Sequence, residues 1–378
     1  MNGRRSAVER FQAFTTGGEE PDLFEGALAI AAVVDPTEDL SGARQRIEEL
    51  AEKVRRARQA GGMPMHEALR QVLFVEEGFC GDRDDYDDPV NSSVAHVLET
   101  RRGMPITLSI AVLEIARRTG LDLTGIGLPG HFVVGGPDLP NGLYLDPFDG
   151  GELRDAAGVQ ERVGSIFGTT IELPEEAFLP DSPRSILLRV LSNLRRSWEK
   201  RGKFEEALAA LECAEALVPG DVSALREKGL LLLRLGKVQE AVGLLEAYVA
   251  KTGGEDAEGI TKLIAVVRDR AGGSASPSPS EDKKIFTLDE AREALPKVRE
   301  ITAEAVASYE SADGAEEQQQ EIVGRWVRRI TSLGLEVKGL WLVDFDSGAG
   351  YYCWKYPEPA LEYFHGYEEG FAGRLPLQ

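Results

Sequence analysis

His131 and Asp146 have the residue types and the setting that acid–base chemistry needs. They stand in GHFVVGGPDLPNGLYLDPFDGG, the histidine early in one apolar run and the aspartate at the end of the next. On neighbouring strands a carboxylate can hold an imidazole in one tautomer and aim it at a nucleophile, as hydrolytic and acyl-transfer sites require. Each also has a plainer reading: His131 follows the Pro129-Gly130 bend as a structural hydrogen bonder, and Asp146 organises a turn before Pro147. Two side chains compete for the nucleophile's part. Thr107 carries a hydroxyl, although a threonine in the first turn of a helix commonly bonds nearby backbone. Cys80 lies in the loop EEGFCGDRDDYDDPVNS. If that loop folds over a cleft its thiol approaches His131; otherwise it is an incidental loop cysteine.

The same loop raises two binding questions. Its five aspartates invite a cation, yet the D-x-D-x-D-G order of an EF-hand is absent. Asn91 and Ser92 close the loop just before a helix through His96 and Leu98, so they cap it or contribute to a site. Arg101 and Arg102 form a basic doublet in an acidic chain, available to pair with the loop aspartates or to recognise a carboxylate or an acidic peptide. No CxxC pair or HExxH helix occurs, and neither a metal nor a cofactor is expected.

The elements that must position these residues begin with RRGMPITLSIAVLEIARRTGL. Pro105 suits a first helical position, where its missing N–H would have no intrahelical partner. The run from 106 to 116 is apolar except for Thr107, Ser109 and Glu114, which predicts a helix buried on most sides and ended by Gly120. Two strands are expected next, LTGIGLPGHFVVGG, bent at Pro129-Gly130, and GLYLDPF, joined through the turn formers PDLPN. Upstream, apolar spacing of three and four predicts helices over Leu23 to Val33, Ser41 to Gln59 and Met65 to Phe74.

A buried helix followed by antiparallel strands, one carrying His and the next Asp, resembles the layout of papain and transglutaminase thiol enzymes. Over about residues 20 to 180 the chain resembles a bacterial transglutaminase-like branch, the invasion-regulator family, whose members carry tetratricopeptide repeats downstream. The words that carry the likeness are LFVEEGFCGDRDDYDDPVNS, VLETRRGMPITLSIAVLEIARRTGL, GLPGHFVVG and YLDPFDGG. The resemblance places His131 as base and Asp146 as its orienting partner. It also places the family's cysteine at the start of the buried helix, where this chain has Pro105, with neither a thiol nor a backbone donor. The dyad is therefore expected to be vestigial.

Further on, RGKFEEALAALECAEALVPGD and LGKVQEAVGLLEAYVAKTGGE align without gaps, Gly202 on Gly236 and Ala207 on Ala241, a period of 34 residues that resembles tetratricopeptide repeats. Leu187 to Arg201 and Asp221 to Leu235 supply the first helix of each hairpin, and Ile260 to Arg270 caps the pair. AGGSASPSPSEDKK reads as a flexible linker. Beyond it, Thr287 and Glu290 have capping-box spacing at the head of a helix interrupted or bent near Pro296, and EEQQQEIVGRWVRRITSLGL is a second amphipathic helix. EVKGLWLVDFD and GYYCWKY make a hairpin around Ser347-Gly348, with Trp341, Tyr352 and Trp354 as packed aromatics. FTLDEAREALP, VKGLWLVDF, CWKYPEP and GFAGRLPL resemble an uncharacterised bacterial domain family. Asp344, Cys353, Glu362 and His365 are metal-ligand types, but in no recognised spacing.

The expected fold class is α+β: a helical N-terminal region and papain/transglutaminase-like core over 1–182, tetratricopeptide hairpins with a capping helix over 183–270, a linker over 271–284, and a small α+β domain over 285–378. Of 378 residues, 64 are Asp or Glu against 43 Lys or Arg, and the net charge of −21 repels phosphate backbones and anionic headgroups. Nucleic acid and membrane are thus poor partners. Three scattered cysteines and no signal-peptide pattern in MNGRRSAVERFQAF indicate the cytoplasm. A peptide- or protein-binding role is expected, with a hydrolase or amide-modifying enzyme using His131, Asp146 and water or Cys80 as the alternative.

Overall fold

The computed structural model describes residues 2–15, 20–253, 255–272, 286–312, 316–347, 351–365 and 375–376. It divides into two compact units, Met1–Ala271 and Gly272–Gln378. Most of the Gly, Ser and Pro stretch, from residue 273 on, lies outside the described residues, as do the Ser347-Gly348 hairpin's tip from residue 348 to 350 and most of GFAGRLPL.

The first unit opens with helices α1 (Asn2–Thr15), α2 (Leu23–Val34), α3 (Leu40–Gly61) and α4 (Met65–Arg70), the last running into a wider π-turn over Gln71–Glu76. Their starts are set by side chains that satisfy free amides: Asp22 accepts from Glu25 N at 2.9 Å, and Asp39 accepts from Ser41 N and Gly42 N. A two-residue strand β1 (Cys80–Gly81) pairs in parallel with β2 (Arg102–Gly103), and α5 (Val94–Thr100) lies between them in sequence. Arg101 ends α5 in the left-handed region, at φ 64, which brings Arg102 back beside Cys80.

Helix α6 (Pro105–Thr119) is the spine of the core. Pro105 holds its first position and Gly120, at φ 79, closes it. Four strands follow, β3 (Thr124–Leu128), β4 (His131–Gly135), β5 (Leu143–Asp146) and β6 (Glu152–Asp155), in an antiparallel meander of that order. The expected single strand bent at Pro129-Gly130 is two strands. Leu128 pairs directly with His131, so the Pro-Gly pair makes a tight reversal, with Gly130 in the left-handed region at φ 65. All of β4 is buried, because α6 covers one face and helix α7 (Ala156–Phe167) packs near the other.

The tetratricopeptide helices are α8 (Pro183–Lys200), α9 (Phe204–Leu217), α10 (Val222–Arg234) and α11 (Val238–Lys251), followed by α12 (Glu255–Gly272). The apolar face of α8, with Ile186, Leu187, Val190, Leu191, Leu194 and Trp198, joins the same core as α2 and α6. Gly26 of α2 permits that approach, since a Cβ there would fall 2.4 Å from Leu187 Cδ1. At the far end Val242 and Leu245 of α11 share a small core with Ile260 and Ile264 of α12, which closes the repeat array. Among the described residues no helix is long and apolar enough to cross a membrane.

The second unit contains α13 (Leu288–Ser311), α14 (Glu316–Thr331) and a sheet of β7 (Glu336–Gly339), β8 (Leu342–Asp346), β9 (Tyr351–Lys355), β10 (Tyr363–His365) and β11 (Leu375–Pro376), ordered β11-β10-β9-β8-β7. Thr287 and Glu290 form the capping box, and α13 continues through Pro296. EVKGLWLVDFD is also two strands, folded back where Trp341 takes φ 60. Trp326 and Trp354 are fully buried, and Trp341 stacks edge-on against Trp326 at 4.9 Å. Asp344 and Cys353 are register partners, while the side chain of His365 lies outside the described residues. The whole is an α+β molecule: a helix-rich transglutaminase-like core, tetratricopeptide helices and a small unit with its own sheet.

Candidate functional site

The imidazole and the carboxylate meet because the meander returns β5 alongside β4, with Val134 opposite Leu145. His131 Nε2 lies 2.7 Å from Asp146 Oδ2, and the two residues are 2% and 0% exposed. The other carboxylate oxygen accepts from the backbone amides of Phe148, at 3.1 Å, and Asp149, at 3.2 Å. Asp146 therefore shapes the turn after β5 and grips the histidine at once. With the carboxylate ionised, the proton of a neutral ring sits on Nε2, and Nδ1 is left as the acceptor. The ring of Phe148 meets His131 edge-on at 6.3 Å.

His131 lines two adjoining depressions of about 350 and about 500 Å³, which share Tyr86, Pro105, Gly130, Asn193 and Arg196. Pro105 and His131 thus face one cleft. Helix α6 begins without a side-chain cap, so first-turn amides and the positive end of its dipole lie beside this space. Tyr86 comes from the aspartate-rich loop, and burial pushes its phenol up, outweighing the nearby Arg189 and Arg162.

The other candidate residues are distributed elsewhere. Cys80 lines a separate, more open depression with Arg102, Asp84 and Phe148, and His131 is not among its walls. The Phe148 ring packs over Gly81, where an added Cβ would fall 2.4 Å from Cδ2, and also against His131. Arg102 reaches Asp84 at 3.4 Å, so one member of the doublet does pair with the aspartate loop. Arg101 turns instead to Glu77 at 3.2 Å, joining Arg46 at 2.5 Å and Lys53 on the same carboxylate. Burial favours the neutral form of Glu77, but Lys53, Arg101 and Arg46 outweigh it and hold its carboxyl below the usual range.

Asn91 is buried, and its Nδ2 donates to Asp85 O at 2.8 Å. Ser93 rather than Asn91 or Ser92 caps α5, accepting from His96 N. Thr107 is 1% exposed, and its Oγ1 has no hydrogen-bond partner among the described residues, so the backbone bond expected of a first-turn threonine is not made. Ser109 makes that kind of bond, to Pro105 O at 2.8 Å. At the edge of the cleft Asp149 is ringed by Arg83 at 2.5 Å, Arg162 at 2.8 Å and Arg154 at 2.9 Å. Burial would raise its pKa, but Arg162, Arg83 and Arg154 keep it low.

Sequence reasoning passed over the cleft's far wall. Arg189, Asn193, Arg196 and Lys200 lie along one side of α8, opposite its buried apolar side, and all four line the cleft. The signal was in LRVLSNLRRSWEK: polar residues recurring at four, three and four positions. Arg189 donates to His131 O at 2.7 Å and to Leu128 O, tying the wall to the β3–β4 reversal. Burial lowers its pKa, with Asp181 opposing.

Comparisons with known proteins agree with this architecture. Residues 41–192 match the model of the transglutaminase-like superfamily, 194–265 the tetratricopeptide repeat, and 310–377 an uncharacterized conserved protein family, DUF2203. A UPF0162 protein of Xylella fastidiosa (strain 9a5c) is 37% identical over 187 residues, 48% of this chain and 66% of the relative, so the chain spans just under two thirds of that relative's length. The F-box only protein 21 of Homo sapiens is 36% identical over 83 residues, 22% of this chain and 13% of that protein. A UPF0162 protein of Pseudomonas aeruginosa is 32% identical over 203 residues, 53% of this chain and 72% of the relative, and on that coverage the chain belongs to the UPF0162 family.

Proposed function

We propose that the chain is a non-catalytic transglutaminase-like module that docks a peptide or protein segment in the cleft over His131, with the helical repeats enlarging the surface. One observation carries this reading: Pro105 occupies the place where the resembling enzymes have their cysteine, and it shares a cleft with His131 that no cysteine lines among the described residues. The dyad then serves to fix β4, β5 and the turn at Phe148. Tetratricopeptide repeats generally mediate protein interaction, which supports a partner of that kind. To the same proposal belong the cytoplasm as its setting, the finer likeness to the invasion-regulator branch, and the division at 182, 270 and 284.

Selection of random dodecapeptides displayed on phage, against the full chain and against Asn193→Trp, tests the docking. A recurrent peptide set is expected on the native chain and none on the variant, whose indole fills the cleft. Absence of any recurrent set on the native chain defeats the reading.

The short, buried His131–Asp146 contact favours a second reading, in which the pair still activates water or the Cys80 thiol. That version requires alkylation of Cys80 by iodoacetamide to slow on His131→Ala, or hydrolysis of p-nitrophenyl acetate to vanish with the same substitution. Because Cys80 lines a different depression, its alkylation is expected to proceed at the same rate in both proteins.

A further inference from the structure

The protein's charge is −21, yet the cleft is walled by cations. Most are neutralised where they stand. Arg83 and Arg162 hold Asp149, and Lys200 takes Asp87 at 2.6 Å. Two are not. Arg189 bonds only to the carbonyls of Leu128 and His131, with no carboxylate in ion-pair range among the described residues. Arg196, exposed on the next turns of α8, makes neither an ion pair nor a hydrogen bond there. Asp181, beyond ion-pair range and not among the cleft's walls, favours the charge of Arg189, while Arg196 opposes it more weakly from within the cleft. Two guanidiniums facing one space without an anion repel each other, and a carboxylate between them removes that cost.

The same cleft has an apolar shelf. Ile166 and Phe167, at the end of α7, remain 42% and 53% exposed and pack around Gly130, 3.3 to 3.4 Å from where its Cβ would be. A space of about 500 Å³ is far more than an inorganic anion fills, and large apolar side chains left in water beside cations suit a chain of mixed character.

We infer that the cleft selects peptide segments in which a side-chain carboxylate neighbours a large apolar residue, the carboxylate bridging Arg189 and Arg196 and the apolar group covering Ile166 and Phe167. This rests on the docking reading above and specifies its ligand.

The dodecapeptide selection on the full chain separates the two. Its recovered set is expected to hold Asp or Glu at a recurrent position beside Leu, Ile or Phe. The most frequent peptide, synthesised and titrated by fluorescence anisotropy, binds Arg196→Glu about tenfold or more weakly. Its own Glu-to-Gln (or Asp-to-Asn) version loses similar affinity on the native chain and little further on the variant, the coupling a direct contact requires. Arg196 has no partner to lose, and a glutamate in its place relieves the repulsion on Arg189, so the variant's melting midpoint is expected at or above the native one. A recovered set without a recurrent acidic position, or affinity indifferent to Arg196→Glu, overturns this inference and leaves docking intact. Failure to recover any set overturns both.

Discussion

Glu77 and Arg196 lie in the same unit and mark opposite electrostatic conditions. Around Glu77 three cations converge on one carboxylate whose side chain is 8% exposed, and around Asp149 three guanidiniums do the same at 10% exposure. Along the cleft face of α8 the ratio is reversed: Arg189 and Arg196 stand without a carboxylate in ion-pair range among the described residues. A saturated cluster has no valence left for a ligand and acts on stability. An unsaturated one costs free energy in the free protein and is relieved by binding. Arginine count alone does not distinguish the two; the carboxylates within reach do.

The largest effect that separates them is expected at Glu77. Glu77→Ala leaves Arg46, Lys53 and Arg101 facing one another without an anion, and because these cations are partly exposed and screened the loss is about 2 kcal/mol, read as a lower urea midpoint. Affinity for a cleft-selected peptide is expected to stay unchanged. A variant as stable as the native protein, or one with weakened peptide binding, erases the distinction between a structural and a binding cluster.

Acid sharpens the comparison next. The Asp149 carboxyl has an ordinary value of 3.8 and is held below it in the fold, since Arg162, Arg83 and Arg154 outweigh the effect of burial. A depressed carboxyl contributes stability that is present above its unfolded value and lost as pH falls through the folded one. Urea midpoints measured downward from pH 5 therefore fall, and in Asp149→Asn they fall less. Equal falls in the two proteins would show that the ring of arginines does not carry the acid response.

These contrasts also explain what could be read in advance. The helix from Pro105 to Gly120, the pairing of a histidine strand with an aspartate strand, and the 34-residue repeat are written as local periodicity, and local periodicity survives folding. The Pro129-Gly130 pair was harder, because a bend and a two-residue reversal use the same residues, and only the register of Leu128 on His131 separates them. Arg101 and Arg102 stood out as a doublet, but their meaning depended on where Glu77 came to lie, a fact of tertiary packing. The wall of α8 was hidden for the converse reason. Its polar stripe looks like any solvated helix face until the apolar side docks on α2 and turns Arg196 toward His131.

The smallest effect concerns a polar group left unpaired in the core rather than in the cleft. Thr107 buries a hydroxyl in the first turn of α6, two residues past Pro105, with no partner among the described residues. A buried hydroxyl without a hydrogen bond keeps the cost of its lost hydration, whereas a valine of nearly the same shape has none. Thr107→Val is therefore expected to raise stability by about 1 kcal/mol, seen as a higher urea midpoint, and to leave peptide affinity as it was. If Val instead lowers stability, the hydroxyl is held by an ordered water beside the start of α6. If stability rises but peptide binding is lost, Thr107 meets the ligand, and the binding surface extends past Arg196 to the floor beneath Pro105.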